Sequence, residues 1–148
     1  MFDPATVLQK AKTSSFYLKI LNWSLARMIP FNKPHGFKVV EVSDNHLRTI
    51  IPYKKGNFNH IRGLHACGLA TISEFTTGFL LISKLDMKKY RIIMQRLEME
   101  YHYQGKMDAF GTFTISAEWM DENVIKPLKE SESVLVPCEI KIHDKKGN

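Results

Sequence analysis

The chain has 148 residues, of which 44% are hydrophobic and 24% are charged, and its formal net charge is +6. These values are typical of a globular protein with one hydrophobic core, and they exclude collagen-like, disulfide-rich and disordered chains. The positive charge favours anionic partners. No long basic run marks a nucleic-acid-binding arm, so nucleic acid is not an expected partner.

Two cysteines, Cys67 and Cys138, lie among apolar residues. Both are expected to be small buried hydrophobic side chains in a reducing compartment. No Cys or His pair has the spacing of a zinc site, and neither a metal nor another cofactor is expected. The first ten residues lack the regions of a secretion signal, which predicts a cytoplasmic protein.

Residues 1–30 predict a helical extension. Asp3 is a candidate N-cap, and Pro4 suits the first position of a helix. Polar residues at 13–15 interrupt this helix, and a second, amphipathic stretch stops at Pro30. We expect these helices to cover one face of the domain that follows.

Alternation of apolar and polar residues predicts a hairpin next. Residues 37–43 and 46–53 both alternate, and Asp and Asn between them favour a turn. A polar loop follows over residues 54–63. Residues 64–83 are apolar nearly all round, which is typical of a buried helix.

Three later segments alternate with period two and predict strands: 95–103, 109–119 and 134–142. Asp121 is expected to cap a short helix between the last two. Strands of this length must bury one face, and the single apolar helix is available to cover it. We therefore predict an α+β fold, an antiparallel sheet wrapped around one long central helix. It forms a single domain over 1–148, with its core in 31–145.

Glu74 is the one formally charged residue in the apolar helix. Its helix face carries mainly small residues, whereas Leu69, Ile72 and Phe79 lie on the opposite face. Burial raises the pKa of a carboxyl group towards the range that a general base or acid needs. A wet groove or an ion pair across an interface is the structural alternative. The polar residues of this helix also argue against a membrane span.

Polar residues and a glycine cluster just before this helix: Asn59, His60, Gly63 and His65. Unpaired N–H groups at a helix N-terminus bind anions and can stabilise an oxyanion. A glycine at position 63 would let the backbone turn tightly. A polar capping loop without a chemical role is the alternative.

The spacing of His65 and Glu74 bears on assembly. The two residues are nine positions apart, which is 900° on a helix, so they point to opposite sides if both lie within the regular helix. Two copies packed around a two-fold axis could bring them into one site. The sequence therefore predicts a homodimer if both residues are catalytic.

The stretch from Asn59 to Glu74 resembles the hotdog-fold thioesterases, and it is most similar to the PaaI-like branch and to related hotdog domains of undefined function. The family pattern has an Asn, a His at the helix start six residues later, and an Asp or Glu nine residues after that. These positions fall on Asn59, His65 and Glu74. The order of helices and strands also matches over roughly residues 30–145.

This resemblance implies hydrolysis of acyl-CoA or a similar acyl thioester by a homodimer, with a tetramer left open. Glu74 would act as general base or nucleophile on the thioester carbonyl. The N–H of Ala66, helped by His65, would polarise the carbonyl oxygen. Asn59 would orient the carboxylate or the attacking water of the partner subunit, and His60 and Gly63 would border the substrate.

The chain departs from the family at the helix start. Ala66 and Cys67 follow His65 where the family often has two glycines, so a side chain crowds the thioester. Phosphates of CoA would contact surface cations, and Lys54, Lys55 and Arg62 are near in sequence.

Two other functions are left open. His60, fourteen residues before Glu74, resembles the histidine of hotdog hydroxyacyl dehydratases, which remove water from a 3-hydroxyacyl thioester. These enzymes usually have a proline near the helix start, and this chain has none there. A non-catalytic hotdog module that binds thioesters or lipids is the remaining alternative.

Overall fold

A computed structural model describes residues 4–148 of the chain. Its N-terminal part contains helices α1 (Pro4–Ala11) and α2 (Ser15–Met28), separated at the predicted polar residues. Helix α2 ends before Pro30, as predicted, because a proline cannot continue the hydrogen-bond ladder. Asp3, the predicted N-cap of α1, lies outside the described residues.

The sheet has four antiparallel strands in the order β1 (Lys38–Val42), β2 (His46–Ile51), β3 (Ala109–Thr114) and β4 (Lys141–Asp144). A short helix, α3 (Asn32–His35), precedes β1 and ends at Gly36 in the left-handed conformation, with φ of 72°. The register of β1 against β2 shifts between Val39 and Glu41. This bulge lets both Val39 and Val42 reach the core although they are three residues apart.

Helix α4 (Ala66–Ile82) packs on this sheet, as predicted for the apolar segment. Its sheet side is fully buried at Ile72 and Thr76, and the Thr76 hydroxyl lies 2.6 Å from that of Thr49 on β2. Gly111 on β3 permits this approach, because a Cβ there would lie 3.0 Å from Thr76 Oγ1. The antiparallel sheet and central helix of the predicted α+β fold are confirmed.

Two predicted strands differ in the structure. Residues 95–103 belong to no ladder within the described part of the chain. Alternation sets the sides to which side chains point, but a ladder also needs a neighbouring backbone. The strand predicted over 109–119 ends at Thr114, because the Ser116 side chain accepts the N–H of Trp119 and caps helix α5 (Ala117–Met120).

The last predicted helix and strand are also displaced. Asp121 does not begin a helix as an N-cap, since it ends α5 and lies in a helical stretch that continues through a π turn to α6 (Pro127–Glu130). Residues 134–140 alternate between half-buried and exposed, as predicted, but the ladder begins only at Lys141. Within residues 4–148, none of the helices has both the length and the apolar character required to cross a bilayer.

Candidate active site

A buried asparagine fixes the segment before α4. Asn57 is 3% exposed, and its Nδ2 donates to the carbonyl oxygens of His35 at 2.9 Å and Pro52 at 2.8 Å. Its Oδ1 lies 3.0 Å from His35 Nδ1, and its own carbonyl accepts the N–H of His65 at 2.8 Å. One residue therefore ties α3 and the end of β2 to the start of α4.

Asn59 closes the following turn. Its Oδ1 accepts the N–H groups of Ile61 at 3.1 Å and Gly63 at 2.8 Å. The left-handed residue of this loop is Arg62, with φ of 58°, rather than the predicted Gly63. Gly63 instead allows close packing, because a Cβ there would lie 2.8 Å from Gln104 Cγ. Since Oδ1 of Asn59 holds the loop, its Nδ2 is the group available to a substrate or a partner.

The first turn of α4 presents unpaired amides. His65 is the N-cap, and its Nδ1 accepts the N–H of Cys67 at 3.1 Å. The N–H groups of Ala66 and Gly68 have no acceptor among the described residues. Such amides, at the positive end of the helix dipole, can bind an oxyanion. Tyr101 donates its hydroxyl to the carbonyl of Ala66 at 3.0 Å and so holds residues 95–103 against this turn.

A cavity of about 260 Å³ opens beside this first turn. Its aromatic wall consists of Phe31, His35, Phe37 and Phe58. Helix α4 contributes Cys67, Gly68 and Thr71, and His65 stands at the same edge. An apolar wall beside a few convergent polar groups is typical of a small-molecule site.

Cys67 is exposed, so the prediction that it is a buried hydrophobic side chain is wrong. It lies on the side of α4 away from the sheet, where it borders the cavity. Cys138 is half-buried, and this burial raises the pKa of its thiol. Both cysteines are free thiols.

Glu74 also lies on the side of α4 away from the sheet. At 100° per residue it shares its face with Cys67 and Thr71, so it lies beyond the cavity wall along the helix. Gly78 leaves room beside it, since a Cβ there would lie 3.6 Å from Glu74 Oε1. No basic group in the described part of the chain forms an ion pair with the carboxylate.

The electrostatics of Glu74 follow from this position. The residue is exposed in the single chain, yet the protein around its carboxyl group removes enough water to raise its pKa. Desolvation is the cause, since no neighbouring cation offsets it. An unpaired carboxylate with a raised pKa, on the helix face that continues from the cavity wall, has the properties of a general base.

Of the other predicted site residues, the structure brings His65 and Ala66 to the cavity but leaves His60 in solvent. His65 lies in the cavity wall, and Ala66 follows it directly. His60 is exposed, and its side chain makes no hydrogen bond to a described residue. Because His65 precedes the first helical residue, the helical spacing alone does not put it opposite Glu74.

Several residues of this site were missed by the sequence analysis. Asn57 and Tyr101 had no recognisable motif, and the aromatic wall comes from two separate segments, 31–37 and the loop at Phe58. For Tyr101 the sequence did carry a signal, because the alternation over residues 95–103 predicts that one side of this segment faces the domain. No linear spacing connects Phe31 with Phe58.

The whole domain matches a known family. The family model described as Domain of unknown function (DUF4442) matches residues 18–148. The chain belongs to the DUF4442 family. The match includes the loop, the cavity and Glu74, and it leaves out only the residues before α2 and the start of that helix. No curated protein matches this DUF4442 sequence.

Solved structures share the fold of this DUF4442 chain. A Pseudomonas aeruginosa protein of unknown function, described as a probable thioesterase, superposes with a TM-score of 0.78 at 19% identity, covering 88% of this chain and 86% of that one. A Haemophilus influenzae thioesterase gives a TM-score of 0.66 at 9% identity, covering 91% and 84%. A Chlorobaculum tepidum protein of unknown function gives 0.73 at 12% identity, covering 91% and 84%.

These similarities confirm the predicted hotdog fold and the resemblance to hotdog domains of undefined function. Identities this low establish the fold rather than a shared reaction. The chemistry of the DUF4442 site therefore depends on its own residues.

Proposed function

We propose that this DUF4442 protein hydrolyses an acyl thioester, with Glu74 as the catalytic carboxylate. The observation that carries the proposal is the position of this group. It is an unpaired carboxylate with a raised pKa on the helix face that leads to an aromatic cavity and two free amides. The thioesterase names of several structural relatives support the same class of reaction.

The reaction needs one water molecule and a polarised carbonyl. Eight residues of helix separate Ala66 from Glu74, about 12 Å along α4, so the two groups that act on one carbonyl come from different copies of the chain. The acyl chain lies against the aromatic wall, and the thioester oxygen accepts the N–H of Ala66 of the copy that faces Glu74. Glu74 takes a proton from water, whose oxygen attacks the carbonyl carbon. The carbon–sulfur bond then breaks, the carboxyl proton passes to the departing thiolate, and a carboxylic acid and a thiol are released.

The cavity size limits the acyl group. An apolar cavity of roughly 150 Å³ holds a benzene molecule, and the cavity beside α4 measures about 260 Å³. An acyl group larger than one ring but smaller than two therefore fits. Medium-length alkyl and single-ring aryl thioesters are the proposed substrates.

A homodimer completes the site in this proposal. Large apolar residues of the segment between α4 and β3 are exposed in the single chain: Met87, Ile93, Met94, Leu97, Tyr101 and Tyr103. Their backbone also lacks a ladder partner within the described residues. A second copy that covers this segment would bury apolar surface. It would also bring its Asn59 amide near Glu74.

A reducing, cytoplasmic location suits the two free thiols.

Thiol release from a panel of acyl-CoAs tests the reaction. Wild type should release thiol, and Glu74→Gln should lower the rate by about 10²–10⁴-fold, the usual contribution of a general base. A sample without substrate corrects for reaction of the exposed Cys67 with the thiol reagent. Equal rates in the two proteins would refute the mechanism.

The alternatives give different results in the same assay. Loss of water from a 3-hydroxyacyl-CoA without thiol release, stopped by His60→Ala, would indicate a dehydratase. Saturable ligand binding without turnover by wild type would indicate a non-catalytic binding module.

Mixing two inactive variants tests the shared site. Asn59→Asp keeps the Oδ1 that holds the loop but removes the Nδ2 donor. If Glu74 of one copy works with Asn59 of the other, a heterodimer of Glu74→Gln with Asn59→Asp contains one intact site and regains activity. No recovery after confirmed subunit exchange would place both groups in one chain.

A further inference from the structure

A second cavity, of about 330 Å³, lies between α2, α3 and the start of β1. Its wall includes three lysines and a tryptophan: Lys19, Lys33, Lys38 and Trp23. Asn22 also lines it, but both ends of that amide hold the fold. Its Nδ2 donates to Val39 O at 2.8 Å and its Oδ1 accepts the N–H of Val39 at 2.7 Å. The polar groups left for a ligand are therefore cationic.

The charge around this cavity is one-sided. Residues 4–40 contain six basic residues and no acidic one, so the other 15 basic residues balance all 15 acidic residues of the chain. None of the three lysines of the cavity forms an ion pair with a described carboxylate. A further ammonium lies at the edge, where Lys54 Nζ donates to Pro34 O at 2.8 Å. Four of the six basic residues of this region line the cavity or lie beside it: Lys19, Arg27, Lys33 and Lys38.

An aromatic platform accompanies the cations. Trp23 is 61% exposed, and the Arg27 guanidinium lies over its ring at 3.6 Å from the centroid. A large indole that is mostly exposed contributes little to the core. Exposed aromatic rings and arginine planes beside lysines are surfaces on which nucleotide bases stack.

The two cavities adjoin. Phe37 contributes to the walls of both, so a single buried side chain separates the basic cavity from the aromatic one. A thioester of coenzyme A has matching ends, with the acyl group at one and a phosphorylated adenosine at the other, joined by a flexible arm.

We propose that the groove formed by Lys19, Trp23, Lys33 and Lys38 binds the adenosine 3′-phosphate 5′-diphosphate end of coenzyme A. The adenine stacks on the Trp23–Arg27 pair, and the phosphates contact the lysines. This inference rests on the proposed thioesterase function, and it selects CoA over carrier-protein thioesters, which lack the nucleotide. It also moves the phosphate contacts away from Lys55 and Arg62.

Titration calorimetry with adenosine 3′,5′-bisphosphate tests the groove without any turnover. The full-length wild type should bind this probe, more weakly at about 200 mM than at about 50 mM salt. Lys33→Gln/Lys38→Gln and Trp23→Leu should each weaken binding by at least about tenfold, a change of about 1.4 kcal/mol. Lys129→Gln/Lys141→Gln removes two exposed lysines elsewhere and should bind like wild type.

Kinetics separate failure of this inference from failure of the thioesterase proposal. The groove variants should raise KM for acyl-CoA but hydrolyse an N-acetylcysteamine thioester, which has no nucleotide, at the wild-type rate. Glu74→Gln should bind the bisphosphate normally. Bisphosphate binding without hydrolysis of any thioester would refute the reaction and leave the groove in place.

Two results would overturn the groove itself. The first is that wild type does not bind the bisphosphate, or that the groove variants bind it with the same affinity as wild type. The second is binding of wild type to phosphatidylserine vesicles that the groove variants lose while their bisphosphate affinity stays unchanged. That result would identify the exposed aromatic and basic residues of α2 as a membrane-contacting surface.

Discussion

The two sides of α4 differ in packing: one is buried against the sheet and the other is open and polar. The sheet side is tightly packed. Ile72 and Thr76 are fully buried, and the absence of a side chain at Gly111 lets Thr76 approach the sheet. The outer side carries small and polar residues, leaves amides unpaired and holds Glu74 without a cation. Changes on the sheet side should therefore affect folding, whereas changes on the outer side should affect chemistry and leave folding nearly unaltered.

The largest effect on stability is expected from Ile72→Ala on the sheet side. Truncating a fully buried isoleucine should lower the free energy of unfolding by about 2–5 kcal/mol, because apolar contacts are lost and a cavity remains. Urea denaturation measures this loss. Thr71→Ala, the neighbouring residue on the outer side, is the control and should change stability by no more than about 0.5 kcal/mol. Equal losses in both variants would contradict the division between the two sides.

Gly111→Ala tests how closely α4 approaches the sheet. The new methyl group would lie 3.0 Å from Thr76 Oγ1 and from Ile142 Cδ1. Overpacking of this kind should cost about 1–3 kcal/mol of unfolding free energy. At Gly56 a Cβ would have no neighbour within 4 Å, so Gly56→Ala is the matched control. Wild-type stability of Gly111→Ala would mean that the helix can move away without cost.

Asn57→Ala tests the connection between the packed core and the site. The change leaves the carbonyls of His35 and Pro52 without their donor, which should cost about 1–3 kcal/mol of unfolding free energy. It should also loosen the start of α4 and lower the thioesterase rate of the folded fraction. Asn123→Ala, at an exposed side chain, is the control. A stability loss with an unchanged rate would show that Asn57 does not position the site.

The smallest effect is the dependence of stability on the charge of Glu74. Its pKa is raised above 4.5 in the folded protein, so the folded state binds more protons than the unfolded state just above that pH. Ionisation of Glu74 therefore costs stability as the pH rises. Glu74→Gln should unfold at the same or a slightly higher temperature than wild type at pH 7. This difference should disappear below about pH 4.5. A Glu74→Gln protein clearly less stable at pH 7 would reveal a cation that pairs with the carboxylate.

The periodic parts of the fold could be predicted from the sequence. The hairpin, the long apolar helix and the break before α2 follow from local patterns that the structure preserves. The segment 95–103 alternates equally well, but whether it joins a ladder depends on a neighbouring backbone that no local pattern describes. The cap at Ser116 was missed because the apolar alternation continued across it.

The candidate site divides in a similar way. Glu74 could be recognised because it is the one charge in an apolar helix, and the free amide of Ala66 follows from the position of the helix start. The aromatic wall and the basic cavity could not, because tertiary packing alone brings Phe58 to Phe31 and Trp23 to Lys38. The excess of basic residues over 4–40 is visible in the sequence, but it indicates a binding site only once the structure shows a cavity beside it.

The most direct test of the central claim is a single-turnover measurement of acyl-CoA cleavage with wild type and Glu74→Gln, both shown to be folded. With excess enzyme, only the chemical step and its binding equilibrium affect the observed rate. Our account predicts that the variant forms the complex but cleaves the thioester about 10²–10⁴-fold more slowly. Cleavage by Glu74→Gln at the wild-type rate would contradict it.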